Sequence, residues 1–320
     1  MTRPVYHRWL HRFAVITAAL SLLPIVMGAL TTTTDAGMAF PDWPTSDGHN
    51  MLTYPWWQSA GAKFIEHGHR LAGMLIGFVS IVLVGLAWKC ETRVWARRVA
   101  FGILLAVICQ GILGGSRVRM DEAVLALIHG NFAAWVFTLM VLYSLWTSRS
   151  WLNQQRDDGS SQQRFQRVHP LVIVTPIVIM GQYMLGGMLR HLHTALNEHL
   201  LMAFVALGFT IANVAVLYRS KNGWLKSSGW SLLFLVVFQI ALGAGSWITR
   251  FGFATIGYVA TQQSALQIWV RSAHTVVGMA LFAASVVALT KYARLVYLQK
   301  AASLVDDRSL VDTVQGGVPA

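Results

Sequence analysis

Glu66 and His69 stand three residues apart in Phe64-Ile-Glu-His-Gly-His-Arg70, at the head of an apolar run from Leu71 to Trp88. On a helix that spacing puts both side chains on one face, roughly 5–6 Å apart at Cβ. An ionisable side chain inside a membrane-crossing segment is costly and marks a functional position. Three further apolar runs carry one histidine each: His129, His199 and His274. Imidazole is an axial ligand of haem iron, and helical bundles build cofactor sites from side chains on facing helices. Two histidines on two helices can hold one iron porphyrin, so the four make two pairs, His69 with His129 and His199 with His274. A lone membrane histidine is more often a hydrogen-bonded packing residue or a proton relay. Four at equivalent places in a repeat are poorly explained that way.

The segments that must position these residues are long and apolar. Of 320 residues, 55% are hydrophobic and 12% charged, against about 25% charged in a soluble domain. Apolar stretches of about 20 residues suffice to span a bilayer. Eight occur, at roughly 11–31, 66–88, 98–116, 123–146, 169–189, 198–218, 228–248 and 266–290. The expected fold is an all-α integral membrane protein whose eight transmembrane helices form two pseudo-symmetric four-helix bundles. One would cover residues 1–150, with Glu66, His69 and His129; the other 165–297, with His199 and His274; a disordered cytoplasmic tail would occupy 298–320. The polar stretch from Gln154 to Ser161 is the linker between them. The first apolar run is too long for the core of a cleaved signal, so it is expected to stay as a span.

Net charge is +12, and its distribution matters more than its size. With both termini cytoplasmic, the inner segments hold 18 of the 25 Lys and Arg, the bias that sets topology in bacterial and organellar membranes. No nucleic-acid partner is needed to explain the basic balance. Cys90 and Cys109 would lie at the inner edge and mid-helix, so no structural disulfide is expected.

The chain repeats itself. Gln110-Gly-Ile-Leu-Gly-Gly115 recurs as Gln182-Tyr-Met-Leu-Gly-Gly187 and Gln239-Ile-Ala-Leu-Gly-Ala244, with a degenerate copy at Pro24-Ile-Val-Met-Gly-Ala29. Each copy precedes a span bearing one of the four histidines near its outer end. The glycines allow close packing of helices in lipid or leave room for a flat ligand. Gln110, Gln182 and Gln239 are not explained by packing; they hydrogen-bond across helices or touch a ligand. A long segment, about 32–63, carries Asp42-Trp-Pro44 and Tyr54-Pro-Trp-Trp57 and reads as an interfacial anchor or a lid over the outer mouth. Glu66 is a candidate base or charge stabiliser, or only a partner of His67 or Arg70. Glu198 directly precedes His199, and adjacent helical residues do not share a face. Arg70, Arg117 and Arg190 can pair with haem propionates or merely reach the interface. His67, His191 and His193 lie at loops or helix mouths, where haem contact and solvation are both open.

This ordered set resembles the haem A synthase family. The resemblance rests on Glu66-x-x-His69-Arg70, on Asp42-Trp-Pro44 after a Thr-rich turn, on the Gln-x-x-Leu-Gly-Gly spans, and on the single histidines of the fourth, sixth and eighth spans. It covers about residues 9–293. It implies an oxidoreductase that converts the C8 methyl of haem O to a formyl group by successive hydroxylations, giving haem A for terminal oxidases. By the same resemblance, His69 and His129 would hold haem O or haem A, His199 and His274 would hold haem b, and Glu66 would be catalytic. It further implies a plasma-membrane location, with haem O synthase (the protohaem farnesyltransferase) and a terminal oxidase as partners, a lipid bilayer as medium, and room for a homo-oligomer. Many relatives carry a cysteine pair in an outer loop; this chain has none there, so a thiol-dependent hand-over step is not expected. A different class needs the same histidines: a diheme b-type electron carrier without substrate turnover, which has no use for Glu66. A transporter or assembly factor built from repeats is a third.

Overall fold

Eight helices long and apolar enough to cross a membrane dominate the described residues. The structure, a computed structural model, describes residues 5–154, 165 and 167–315. Among the described residues there are no strands, only two isolated bridges.

The first span is broken in two, α1 (Arg8–Leu20) and α2 (Leu22–Thr33), where a single helix over 11–31 was expected. Pro24 causes the break: it offers no N–H to the Leu20 carbonyl, and its ring crowds that group. Thr31, Thr32, Thr33 and Thr34 each donate a hydroxyl to the carbonyl four residues back, at 2.7–3.1 Å, so the polar side chains of the last turn are satisfied within the helix itself.

The remaining spans are α3 (Gly61–Cys90), α4 (Val94–Met120), α5 (Ala123–Trp146), α7 (Pro170–His191), α8 (Leu196–Arg219), α9 (Gly223–Phe251) and α10 (Ala265–Gln315), with a short α6 (Arg149–Asn153) after α5. Several run past their apolar stretch, because apolar composition marks only the lipid-immersed part of a helix. α10 differs most: it continues through Gln315, where loss of order after residue 297 was expected. No proline, and no glycine after Gly278, interrupts the chain between Ala265 and Gln315, and Ala, Leu, Lys and Gln sustain a helix in polar surroundings. Most of the expected linker, and the last five residues, lie outside the described residues.

In the first group α3 packs on α2 and α4, α5 on α4, and α1 on α3 and α5. In the second, α8 packs on α7 and α9, and α10 on α9 and α7. The groups meet where α2 and α5 face α7 and α10. Leu10, Leu83, Ile103, Met140 and Tyr143 fill the first core, while Phe137, Val172, Leu217, Leu232 and Phe282 belong to a core that crosses the junction. Phe78, Phe101, Phe204 and Phe234 point outward, as side chains in contact with lipid do.

The connections sort onto two faces. The long segments 34–60 and 252–264 lie at one end, here the loop face, and the short basic connections lie at the other. At the basic face Glu91 accepts from the Arg93 amide and guanidinium at 2.7–2.9 Å, and Arg93 also donates to the Trp146 carbonyl at 2.9 Å, tying the α3–α4 turn to the end of α5. Burial raises the Glu91 carboxyl, but the Arg93 bonds outweigh it and leave it below its ordinary value.

Candidate functional site

The four histidines share a level. Each lies within the first ten residues of α3, α5, α8 or α10, all of which start at the loop face. They are brought together in twos. The rings of His69 and His129 have centroids 6.2 Å apart with planes at 87°. Those of His199 and His274 lie 6.3 Å apart at 89°. Two sequence-distant pairs on different helices thus have the same separation and the same crossed orientation. Among the described residues no three His, Cys, Asp or Glu side chains converge as a metal cluster would require.

Glycine explains why each ring can sit where it does. A Cβ placed on Gly28, Gly114, Gly186 or Gly243 would stand 2.9, 2.9, 3.0 and 3.2 Å from Cε1 of His69, His129, His199 and His274 respectively. These are the same position of the four repeat copies. The repeat glycine is therefore a berth for an imidazole from the next helix. Gly111, in the same motif, has nothing within 4 Å, so packing alone does not demand every glycine of the motif. The second glycine has other neighbours: a Cβ at Gly115 would collide with the Trp43 ring, and one at Gly187 would lie 2.7 Å from Leu127 on α5.

The polar partners of the rings differ. His69 Nδ1 hydrogen-bonds the Pro24 carbonyl at 3.0 Å. A carbonyl only accepts, so Nδ1 carries the proton and Nε2 presents its lone pair. A fixed tautomer of this kind is what a metal-ligating histidine needs. Gln110 Nε2 reaches Nε2 of His129 at 3.3 Å and donates to its carbonyl at 3.0 Å; Gln182 Nε2 stands 3.5 Å from Nε2 of His199. Gln110 and Gln182 thus reach across helices to the histidine that follows, while Gln239 Nε2 lies beside Gly278 on α10. His129, His199 and His274 face the backbone of Gln110, Gln182 and Gln239, the repeat position that Pro24 holds for His69.

Glu66 is 3% exposed and fully engaged. Oε1 accepts from Arg70 Nη2 at 2.7 Å, and Oε2 accepts from the Phe40 amide at 3.2 Å. Arg70 in turn donates to the carbonyls of Asp42 (2.9 Å), Thr45 (2.6 Å) and Phe40 (3.4 Å). One buried ion pair therefore straps the loop 36–46 onto α3, a turn from His69. Phe40 is fully buried under it, and Ser46 Oγ hydrogen-bonds His67 Nδ1 at 3.1 Å. His67 packs against Phe40, Tyr54 and Trp56 as a loop anchor. Between anchor and lid, the contacts favour a cover: Trp43 reaches α4 beside the glycine that seats His129. Glu198, by contrast, is exposed, so the second histidine pair has no buried carboxylate on its own helix at the matching place.

Sequence reasoning missed three things: the glycine berths, the loop strap, and the location of Arg190 between the two helix groups. The even spacing of Gly28, Gly114, Gly186 and Gly243 from their repeat starts held the signal for the first. His193 and His49 are exposed, while His191 is half-buried with Nε2 3.6 Å from a Cβ position at Gly130 on α5.

The family model described as cytochrome oxidase assembly protein (COX15-CtaA) matches residues 11–198, a stretch that includes Glu66, His69 and His129. A protein named heme A synthase from Shewanella oneidensis is 29% identical over 195 residues, which is 56% of this chain and 55% of that protein. One of the same name from Alkalihalophilus pseudofirmus is 32% identical over 143 residues, 43% of this chain and 46% of the relative. Another, from Symbiobacterium thermophilum, is 30% identical over 192 residues, 57% and 60% of the two chains. The matches span about half the length of these curated relatives. The family match covers more than half of the chain, and this multi-pass membrane protein belongs to the cytochrome oxidase assembly protein family.

Proposed function

We propose that this chain is a haem A synthase: it holds haem O between His69 and His129, holds a haem b between His199 and His274, and oxidises the C8 methyl of haem O to a formyl group. The observation that carries the reading is the pair of crossed imidazoles at 6.2 and 6.3 Å. Two metal–nitrogen bonds of about 2.0 Å, plus roughly 1 Å from each ring centre to its nitrogen, span about 6 Å. The donor chemistry also fits: neutral imidazoles in a low-polarity site ligate haem iron, and the Pro24 carbonyl leaves the iron-facing nitrogen of His69 free. The relatives' printed name, heme A synthase, supports the substrate.

The two sites are given different work by their surroundings. The first is flanked by the buried carboxylate of Glu66 and covered by the loop that Arg70 straps down. Glu66 stabilises the cation that forms at the oxidised methyl, or takes the proton of the attacking water. The cover keeps bulk water away from the reacting carbon. The second site lacks both features and suits electron passage: the methyl group and one water give a formyl group, four protons and four electrons, and a haem b held by His199 and His274 would pass those electrons on to an external oxidant. The four-helix groups at 1–150 and 165–297 are two equivalent haem-binding halves. The excess of Lys and Arg at the basic face supports a cytoplasmic side for that face and both termini, in a plasma membrane. Haem O would come from haem O synthase, and haem A would pass to a terminal oxidase.

The test is to express the chain in cells supplied with haem O, extract haems into acidified acetone and identify them by mass. Haem A, absent without the chain, is the expected product. Two haems b with haem O left unconverted would favour a diheme electron carrier instead.

A further inference from the structure

Both histidine pairs lean on one guanidinium. Arg190, at the loop-face end of α7, donates through Nη1 to Thr275 Oγ1 at 2.6 Å. Thr275 is the residue after His274. Through Nη2 it donates to Thr33 Oγ1 at 2.6 Å and to the Ala29 carbonyl. Ala29 is the residue after Gly28, the berth of His69. Ser272 closes the knot by donating to Thr33 Oγ1 at 3.1 Å. The next residue, His191, lies against Gly130, which follows His129. A single dipeptide of α7 therefore touches α2, α5 and α10 within a residue of three of the four ligand positions or their berths.

Arg190 also lacks an anion. The ion pairs among the described residues are Lys63–Asp47, Arg70–Glu66 and Arg93–Glu91. Asp35 is within electrostatic reach of Arg190 but so is the cation Arg271. A half-buried guanidinium without a counter-ion is costly, and the planar fork of arginine matches a carboxylate. The carboxylates of a porphyrin are the chemistry that answers it.

We propose that Arg190 is a positioning residue common to the two haem sites: it offers its charge to a haem carboxylate and, through Thr33, Ala29 and Thr275, makes each site sense the other. This rests on the two-haem reading above. The charge of Arg190 favours the reduced state of both irons, since added electron density is stabilised by a nearby cation.

The experiment is a potentiometric titration of both haems in the purified full-length protein. Wild type is compared with Arg190→Gln, Arg190→Lys and the exposed loop-face control Arg250→Gln. Arg190→Gln should weaken reduction of both haems by about tenfold, a shift of about 59 mV to more negative potential for a one-electron couple. Arg190→Lys should keep most of the charge effect, and Arg250→Gln should leave both potentials in place. Unchanged potentials, or a shift of only one haem, in Arg190→Gln would overturn the inference. If Arg190→Gln fails to fold, Thr275→Val serves in its place: it lies beside His274, yet it should move the haem held by His69 and His129 as well, and an effect confined to the nearer haem overturns the coupling. Failure of the underlying reading is seen separately, as wild-type protein that does not carry two haems before any titration begins.

Discussion

Glu66→Gln should retain both haems and lose conversion of haem O by 100-fold or more, the order lost with a positioned acid, base or charge stabiliser. The substitution is well separated from folding effects. A glutamine carbonyl still accepts from the Phe40 amide, and Arg70 keeps its bonds to the carbonyls of Asp42, Thr45 and Phe40. The loop strap therefore survives, and only the negative charge and the ability to take a proton disappear. The pairing with Arg70 makes this a real contest of roles. If the carboxylate serves only to strap the loop, glutamine should substitute well. Turnover above a tenth of wild type, with haems bound, would reduce Glu66 to that structural part. Turnover lost together with the haems would show that the strap itself holds the site.

Gly114→Ala should cost the first site about tenfold or more in haem retention, with the second site unaffected. The new methyl would stand 2.9 Å from Cε1 of His129, closer than side chains tolerate, and an iron-bound ring is not free to swing away. Overpacking of this kind costs about 1–3 kcal/mol, and about 1.4 kcal/mol is tenfold in affinity. Gly28→Ala should act in the same way through His69. Gly243→Ala should be milder, because its Cβ would lie 3.2 Å from His274. Gly111→Ala, in the same motif but with open space around it, is the control. Haem-to-protein ratios from pyridine haemochrome spectra measure all four. Equal retention in Gly111→Ala and Gly114→Ala would remove the berth from the account.

Much of the site was legible in the chain. The histidines announced themselves because an imidazole in a 20-residue apolar run has few structural excuses, and the Gln-x-x-Leu-Gly-Gly copies announced the repeat. The meaning of the glycine was not legible: a small residue looks the same whether a helix, an indole or an imidazole fills the space beside it. Only the contacts separate Gly114, seat of His129, from Gly115, neighbour of Trp43. Pro24 is a different case. It marks a weak point at Ser21, yet Pro176 lies inside the unbroken α7, so a proline in a span does not by itself foretell a break. The strap from Arg70 to Asp42, Thr45 and Phe40 and the reach of Arg190 to Thr33 and Thr275 join residues 25 to 157 positions apart. They follow no helical period, so no pattern along the chain reveals them. The long run of α10 was missed because polarity was taken for loss of order, although the residues from Lys300 to Gln315 contain no helix breaker.

The pairing of histidines across two irons is most directly tested on purified wild-type protein, by counting haems and recording their electron paramagnetic resonance. The account predicts two haems per chain, both low-spin with two axial imidazoles whose planes are crossed, and loss of one such signal alone in His199→Ala. A single haem, or a high-spin iron with one protein ligand at either site, would contradict it.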